Sequence, residues 1–203
     1  MAENFAKQEN ATEYLVKFVP VAILIEKNQF KQRELNMKIL GIGNAIVDVI
    51  CKVEDDFLSK NNLTKSTMKL IFDDKEFKSL LSSLKIEKTV SGGSVANSIV
   101  GLSQLGNEVG FIGKVSDDDL GSKYEEGLKQ ENVKYFYSKK KEDLPTGTCL
   151  ILVTPDSERT MCTFLGTAGK INENDVSADA IKQSEIIFLE GYLWDEGDPK
   201  KAF

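Results

Sequence analysis

From Met37 onward, short apolar runs alternate with stretches whose apolar residues recur at helical spacing. Residues 38–43 predict a strand, and 45–53, rich in β-branched side chains, predict another. Residues 67–72 and 86–90 are short strand candidates on either side of a helical stretch near 74–84. After Ser91-Gly92-Gly93-Ser94 the pattern predicts a helix over 95–105. Val95, Ile99 and Leu102 share one of its faces, Ser94 suits the N-cap, and Gly106 suits the position after its end. A strand at 109–114 precedes a helix from about 118 to 131, whose leading aspartates sit at the positive end of the helix dipole. Segments 148–154 and 159–164 flank Pro155-Asp156-Ser157-Glu158 and read as a hairpin. A helix over 174–183 and a buried strand over 185–190 follow. This rhythm predicts an α/β fold with a mostly parallel sheet covered on both faces. The extra strands near the start break it and predict a small appended sheet.

Residues 1–36 differ: they are polar at both ends around one apolar run, with no glycine and one proline. We read them as an extension placed before the domain, with an added helix and strand as the alternative. Met37 is a second possible start. At the other end, 198–203 read as the opening of a further helix. A parallel sheet stopping after 185–190 leaves an open edge, so a C-terminal truncation is expected. By the same reasoning, residues 37–203 alone are expected to be poorly soluble or to associate.

The 203 residues include 26 Lys or Arg and 32 Asp or Glu, a net charge of −6. With no strong basic cluster, a nucleic-acid or anionic-membrane partner is not expected. The run Lys139-Lys140-Lys141 is answered by Glu142-Asp143 and reads as a solvated loop. The length suits one domain, or one and part of a second. Histidine is absent, which removes Ser-His-Asp and Cys-His nucleophile systems and histidine-ligated zinc. Cys51, Cys149 and Cys162 lack metal-site spacing and fit core packing in a reducing compartment. The apolar run from Leu15 to Ile25 is interrupted by Lys17 and Pro20, too short to span a bilayer, and lacks signal-peptide features. A cytoplasmic location is the default.

No GxxxxGK[ST] loop occurs, and Gly41-Ile42-Gly43 supplies only the first two glycines of GxGxxG ahead of a strand. Two constellations carry chemistry. Asp48 interrupts the apolar run Ile46-Val47-Asp48-Val49-Ile50, where a carboxylate is costly to bury without a partner. It is either an outward residue of a half-exposed strand or an acceptor for ligand hydroxyls. Gly92-Gly93 before a helix allows close backbone approach, with Asn97 in the first turn. That stretch is either a tight loop needing positive φ or the floor of a ligand site.

The ordered series resembles the PfkB/ribokinase family of carbohydrate kinases, in its adenosine-kinase-like branch, from about residue 38 to 203. The matching stretches begin with Gly43-Asn44-Ala45-Ile46-Val47-Asp48 and Gly92-Gly93-Ser94-Val95-Ala96-Asn97. They continue through Leu105-Gly106, Gly113-Lys114-Val115-Ser116-Asp117-Asp118-Asp119-Leu120-Gly121 and Thr146-Gly147-Thr148. Glu158-Arg159-Thr160 and Glu190-Gly191-Tyr192-Leu193-Trp194-Asp195 complete the series.

The resemblance implies a ribokinase-like three-layer α/β/α fold with a small β-sheet lid, its strands within about 45–90. It implies ATP-dependent phosphorylation of a primary hydroxyl on an adenosine- or ribose-like substrate, with Mg2+. Asp48 would hold vicinal hydroxyls, and Gly92, Gly93 and Asn97 would line the same pocket. Asn44 would sit close by, Glu190 would contact a sugar hydroxyl, and Arg159 is a weaker candidate for phosphate or substrate. Arg159 could equally be a turn arginine paired with Glu158. Lid strands sometimes pair between subunits in this family, so a homodimer is one assembly it implies. The family's catalytic aspartate lies in a C-terminal Gly-Ala-Gly-Asp motif that these residues lack. No catalytic base and no metal ligand is therefore assigned here; the base is expected beyond Phe203, the ATP and Mg2+ sites mainly there too, and the 203 residues alone are expected to be inactive. The alternative is a non-catalytic module that binds a sugar or nucleoside. A dinucleotide oxidoreductase would need a true GxGxxG followed by an acidic strand end, which is not found.

Overall fold

The apolar alternation is realised as two sheets joined by short crossings of the chain. The computed structural model describes residues 22–26, 37–194 and 197–202. Its strands are β1 (Ala22–Glu26), β2 (Ile39–Ile42), β3 (Ile46–Lys52), β4 (Met68–Leu70), β5 (Ile86–Gly92), β6 (Val109–Ile112), β7 (Lys134–Tyr135), β8 (Gly147–Val153), β9 (Arg159–Phe164) and β10 (Ile186–Glu190). Its α-helices are α1 (Asp55–Lys60), α2 (Asp74–Ser82), α3 (Ser94–Gln104), α4 (Asp119–Gln130), α5 (Ala178–Gln183) and α6 (Asp198–Ala202).

One sheet has the order β1-β10-β2-β6-β7. It is parallel except for β1, which runs antiparallel to β10 with Ala22 opposite Glu190. Along β2, Leu40 and Ile42 face a cluster with Ile112, Ile187, Leu189 and Ala180 of α5. On the other face, Val109 and Phe111 pack with Val95 and Ile99 of α3 and with Tyr124 and Leu128 of α4. These are the three layers expected. Truncating a wholly buried side chain such as Ile99 or Phe111 removes about 2–5 kcal/mol.

The second sheet, ordered β4-β9-β8-β3-β5, is larger than the sequence suggests. The early strands are joined by the hairpin β8–β9, so this second sheet has five strands and extends to Phe164. One face carries Val47, Val49, Cys51, Leu150 and Leu152 into the same core as α1 and α2, where Phe77 stacks on Phe164 at 5.1 Å. Asp48, Ile50 and Lys52 alternate onto the opposite, more open face.

Several local expectations are corrected. Gly93, at φ 101°, is the N-cap of α3, and Ser94 is its first helical residue. Residues 174–183 break into a 3-10 turn, Glu173–Asp175, and α5, because Asn172 and Ser177 each cap a separate start. Helix α1 was not foreseen; at six residues it is too short for a clear period. The extension contributes a strand, β1, which covers the edge of β10 that was expected to be open. The remainder of the expected extension and Asp195 lie outside the described residues.

Candidate functional site

Two crossings between the sheets meet at one corner. The chain passes from β2 to β3 through Gly43-Asn44-Ala45, and from β5 to α3 through Gly93. A Cβ on Gly93 would lie 2.2 Å from the Asn44 carbonyl oxygen, so the second crossing needs glycine for both its space and its positive φ.

The carboxylate of Glu190, at the end of β10, locks the first crossing. It accepts the Asn44 backbone N–H and the Asn44 Nδ2 group, both at 2.8 Å. Asn44 and Glu190 are only 5% and 3% exposed, so these bonds are sheltered from water. Gly43 makes the arrangement fit, since a Cβ there would come within 2.4 Å of Glu190 Oε2. Burial pushes the Glu190 carboxyl above its ordinary value, and the Asn44 side chain and backbone, with the Ser94 hydroxyl, offset part of that rise. Asn44 Oδ1 and Ser94 Oγ remain buried without a well-formed hydrogen bond, so this corner keeps polar capacity it does not use.

Asp48 stands on β3 opposite Val90 of β5 and Cys149 of β8. Its carboxylate lies over Gly92, where a Cβ would meet Oδ2 at 2.5 Å. Among the described residues it has no hydrogen-bond or ion-pair partner. Burial pushes its carboxyl up to about 6. The neighbouring Cys149 thiol is pushed up to about 11, chiefly by burial, with the Asp48 charge adding to it. A thiol held that far above neutral pH is a poor nucleophile.

Helix α4 supports the corner from behind. Tyr124, wholly buried, donates from its hydroxyl to the Gly92 carbonyl at 3.1 Å, and Ser91 Oγ donates to the Tyr124 carbonyl at 3.0 Å. Burial first, then Tyr135 and the charges of Glu190 and Asp48, hold the Tyr124 hydroxyl well above its ordinary value, so it stays a donor. The start of α4 is fixed by Asp118, which accepts from Gly121 N at 2.7 Å and from Thr146 Oγ1 at 2.7 Å.

The structure therefore brings together Asp48, Gly92, Gly93, Asn44 and Glu190. Asn97 lies in the first turn after Gly93, exposed on the side of α3 away from Val95 and Ile99. Arg159 is not part of the corner. It pairs through Val153 with Lys52, four positions along β3 from Asp48, or about 13 Å. The alternative pairing with Glu158 is also not found, since Glu158 accepts instead from Ser66 Oγ at 2.7 Å. Sequence reasoning missed Tyr124, Ser94 and Cys149. Tyr124 falls on the buried stripe of α4, where a tyrosine reads as plain core, and the reach of its hydroxyl depends on tertiary placement.

Comparison with known proteins bears on the fold and the family. A profile of the pfkB family carbohydrate kinases matches residues 38–203. The chain is 28% identical over 142 residues to a 5-dehydro-2-deoxygluconokinase of Mesomycoplasma hyopneumoniae (strain 232), covering 69% of this chain and 40% of that protein. It is 28% identical over 159 residues to adenosine kinase 2 of Arabidopsis thaliana, covering 72% and 42%. Among solved structures, the adenosine kinase from Sinorhizobium meliloti superposes with a TM-score of 0.73 at 36% identity, covering 82% of this chain and 51% of that one. The chain thus spans about half the length, or less, of these relatives.

Proposed function

Because the chain belongs to the pfkB family of carbohydrate kinases, we propose that the whole protein transfers the γ-phosphoryl group of ATP to a primary hydroxyl of a sugar or nucleoside. In this reading, residues 37–203 supply the half that grips the acceptor and 1–36 are an extension before it. The observation that carries it is Asp48: a partly buried carboxylate without a partner, set over a glycine turn at the entrance to a helix. A carboxylate only accepts hydrogen bonds, so its complement is a pair of donors, as vicinal hydroxyls provide. Gly92 and Gly93 give the ligand room, Asn44 with Glu190 forms the polar wall, and Asn97, exposed on the other side of α3, is kept only as a candidate for a more distant contact. Two carboxylates at the corner favour an uncharged acceptor, a nucleoside or ribose-like sugar, over a sugar acid.

Phosphoryl transfer depends on positioning and on stabilising charge around the phosphate. Among the described residues no group of three or more His, Cys, Asp or Glu could hold a metal ion, and the sequence has no phosphate-binding glycine–lysine loop. We therefore assign the general base, ATP and Mg2+ mainly to parts of the protein outside these residues, and expect the 203 residues alone to be inactive. Arg159 is a candidate only for contact with phosphate. Among the described residues no helix is long and apolar enough to cross a membrane; a cytoplasmic location belongs to the same proposal. So does a homodimer through the lid, whose strands expose Met68, Leu70, Val90 and Met161.

The test is a panel of alcohols, adenosine and ribose included, scored for ATP consumption by the whole protein and its Asp48→Asn variant. Turnover that collapses in the variant supports the reading, and turnover unchanged by the substitution overturns it. Binding of an acceptor without ATP consumption by the whole protein indicates a non-catalytic module instead.

A further inference from the structure

Beneath the corner, two tyrosines link the two sheets. Tyr124 donates to the Gly92 carbonyl at 3.1 Å, on the wall that carries Asp48. Tyr135, on β7, donates to the Gly113 carbonyl at 2.5 Å. Gly113 lies against the other wall, where a Cβ would come 2.8 Å from the Gly43 carbonyl, one residue before Asn44. The tyrosine rings meet edge to face, with centroids 6.0 Å apart and planes at 60°. Phe111 flanks both, at 6.3 Å from Tyr124 and 6.4 Å from Tyr135. Each hydroxyl therefore holds a backbone carbonyl of one wall, and the packed rings fix the separation between them.

We infer that Tyr124 and Tyr135 form a strut that sets the spacing between the Asp48–Gly92 wall and the Asn44–Glu190 wall, making both tyrosines positioning residues. The inference rests on the acceptor-site reading above. Neither tyrosine needs to touch the ligand. Their effect passes through Gly92 to Asp48, and through Gly113 and Gly43 to Asn44. Interiors packed at this density transmit such displacements instead of absorbing them.

The test compares Tyr124→Phe, Tyr135→Phe and Tyr137→Phe in the full chain, each losing one hydroxyl while keeping its ring. Tyr137 is the control: its ring packs edge to face on Tyr135 at 6.4 Å, but its hydroxyl donates to Glu142 at 3.0 Å and to neither wall, so its loss tests the ring packing without the strut's hydrogen bonds. Adenosine and ribose serve as probes by calorimetry at 10 °C, with folding of each variant checked by circular dichroism, and the Asp48 titration midpoint is followed by carboxyl NMR. Tyr124→Phe and Tyr135→Phe are expected to weaken binding by roughly 3- to 10-fold, the loss of one hydrogen bond's net contribution. Tyr124→Phe also moves the Asp48 midpoint toward its ordinary value, whereas Tyr137→Phe changes neither quantity. Variants that lose melting temperature but keep both affinity and the Asp48 midpoint would reduce the strut to plain core packing and overturn the inference. If the unmodified chain binds neither probe, the acceptor-site reading fails, and the Asp48 midpoint in Tyr124→Phe still decides whether the strut exists.

Discussion

Asn44 and Glu190 lie 146 residues apart in sequence, yet they share two buried hydrogen bonds of 2.8 Å each. The pair ties the crossing from β2 to β3 to the end of β10, so the wall of the candidate site forms only once the central strands of the sheet have assembled. Removing the asparagine side chain leaves the backbone N–H in place but deprives the buried Glu190 carboxylate of its Nδ2 donor, a loss of about 1–3 kcal/mol for a buried charged acceptor. Asn44→Leu is expected to lower stability by about that amount in urea denaturation. A loss below 1 kcal/mol would show that water replaces the asparagine freely.

Asp48→Asn separates binding from stability. The variant is expected to weaken adenosine or ribose binding roughly 10- to 100-fold, the range for a hydrogen bond to a charged group. At pH 7.5 it should raise the melting temperature of the unliganded chain, because the ionised carboxylate is held at a burial cost that the amide escapes. Calorimetry and thermal scanning check the two halves independently.

The pH dependence follows from the same residue. The folded Asp48 carboxyl titrates near 6, above its ordinary 3.8, so the folded chain holds this proton more tightly than the unfolded one. Its contribution therefore favours the fold at low pH and is lost as pH rises from about 4 through 6. Acceptor binding runs the other way: it needs the carboxylate, and should weaken about tenfold per pH unit below 6. Asp48→Asn should flatten that part of the profile in titrations between pH 5 and 8.

Two glycine substitutions make a matched test of space. A Cβ at Gly92 enters the Asp48 carboxylate, whereas one at Gly101, in the middle of α3, meets nothing within 4 Å. Gly101→Ala should stabilise the chain by about 0.5–1 kcal/mol through helix propensity and leave binding unchanged. Gly92→Ala should displace Asp48 and abolish measurable binding. Equal behaviour of the two variants would remove Gly92 from the site.

The edge strand gives a further prediction. Removing residues 1–36 takes away β1 and leaves the backbone groups of β10 that faced it unpaired. The shortened chain should self-associate in sedimentation experiments and melt at a lower temperature. A monomer with unchanged melting would mean that β1 adds nothing to the edge.

Much of the fold was legible because its signals are local. The apolar runs of β2, β6 and β10 and the glycine turn before α3 can be read within windows of ten residues. Asp48 stood out because a carboxylate in a run of valines and isoleucines is costly to bury, although strand alternation left an outward placement and a ligand role both open. The extent of the second sheet was not legible. That β8 pairs with β3, and β9 with β4, is decided by long-range register, and a hairpin fits either sheet equally well from sequence. How far Arg159 lies from the corner was illegible for a related reason. A motif gives the order of residues along the chain, whereas distance across a sheet depends on strand direction. The role of Tyr124 depended on a hydroxyl reaching Gly92 from 32 residues away, and no periodicity encodes that.

Neither Val90 nor the raised Cys149 thiol, which flank Asp48 across the sheet, can neutralise its charge. Among the described residues, no hydrogen bond or ion pair offsets the cost of burying this carboxylate. If the proposed acceptor is a diol, it would meet a carboxylate already partly desolvated by the fold, which lowers the reorganisation its recognition demands.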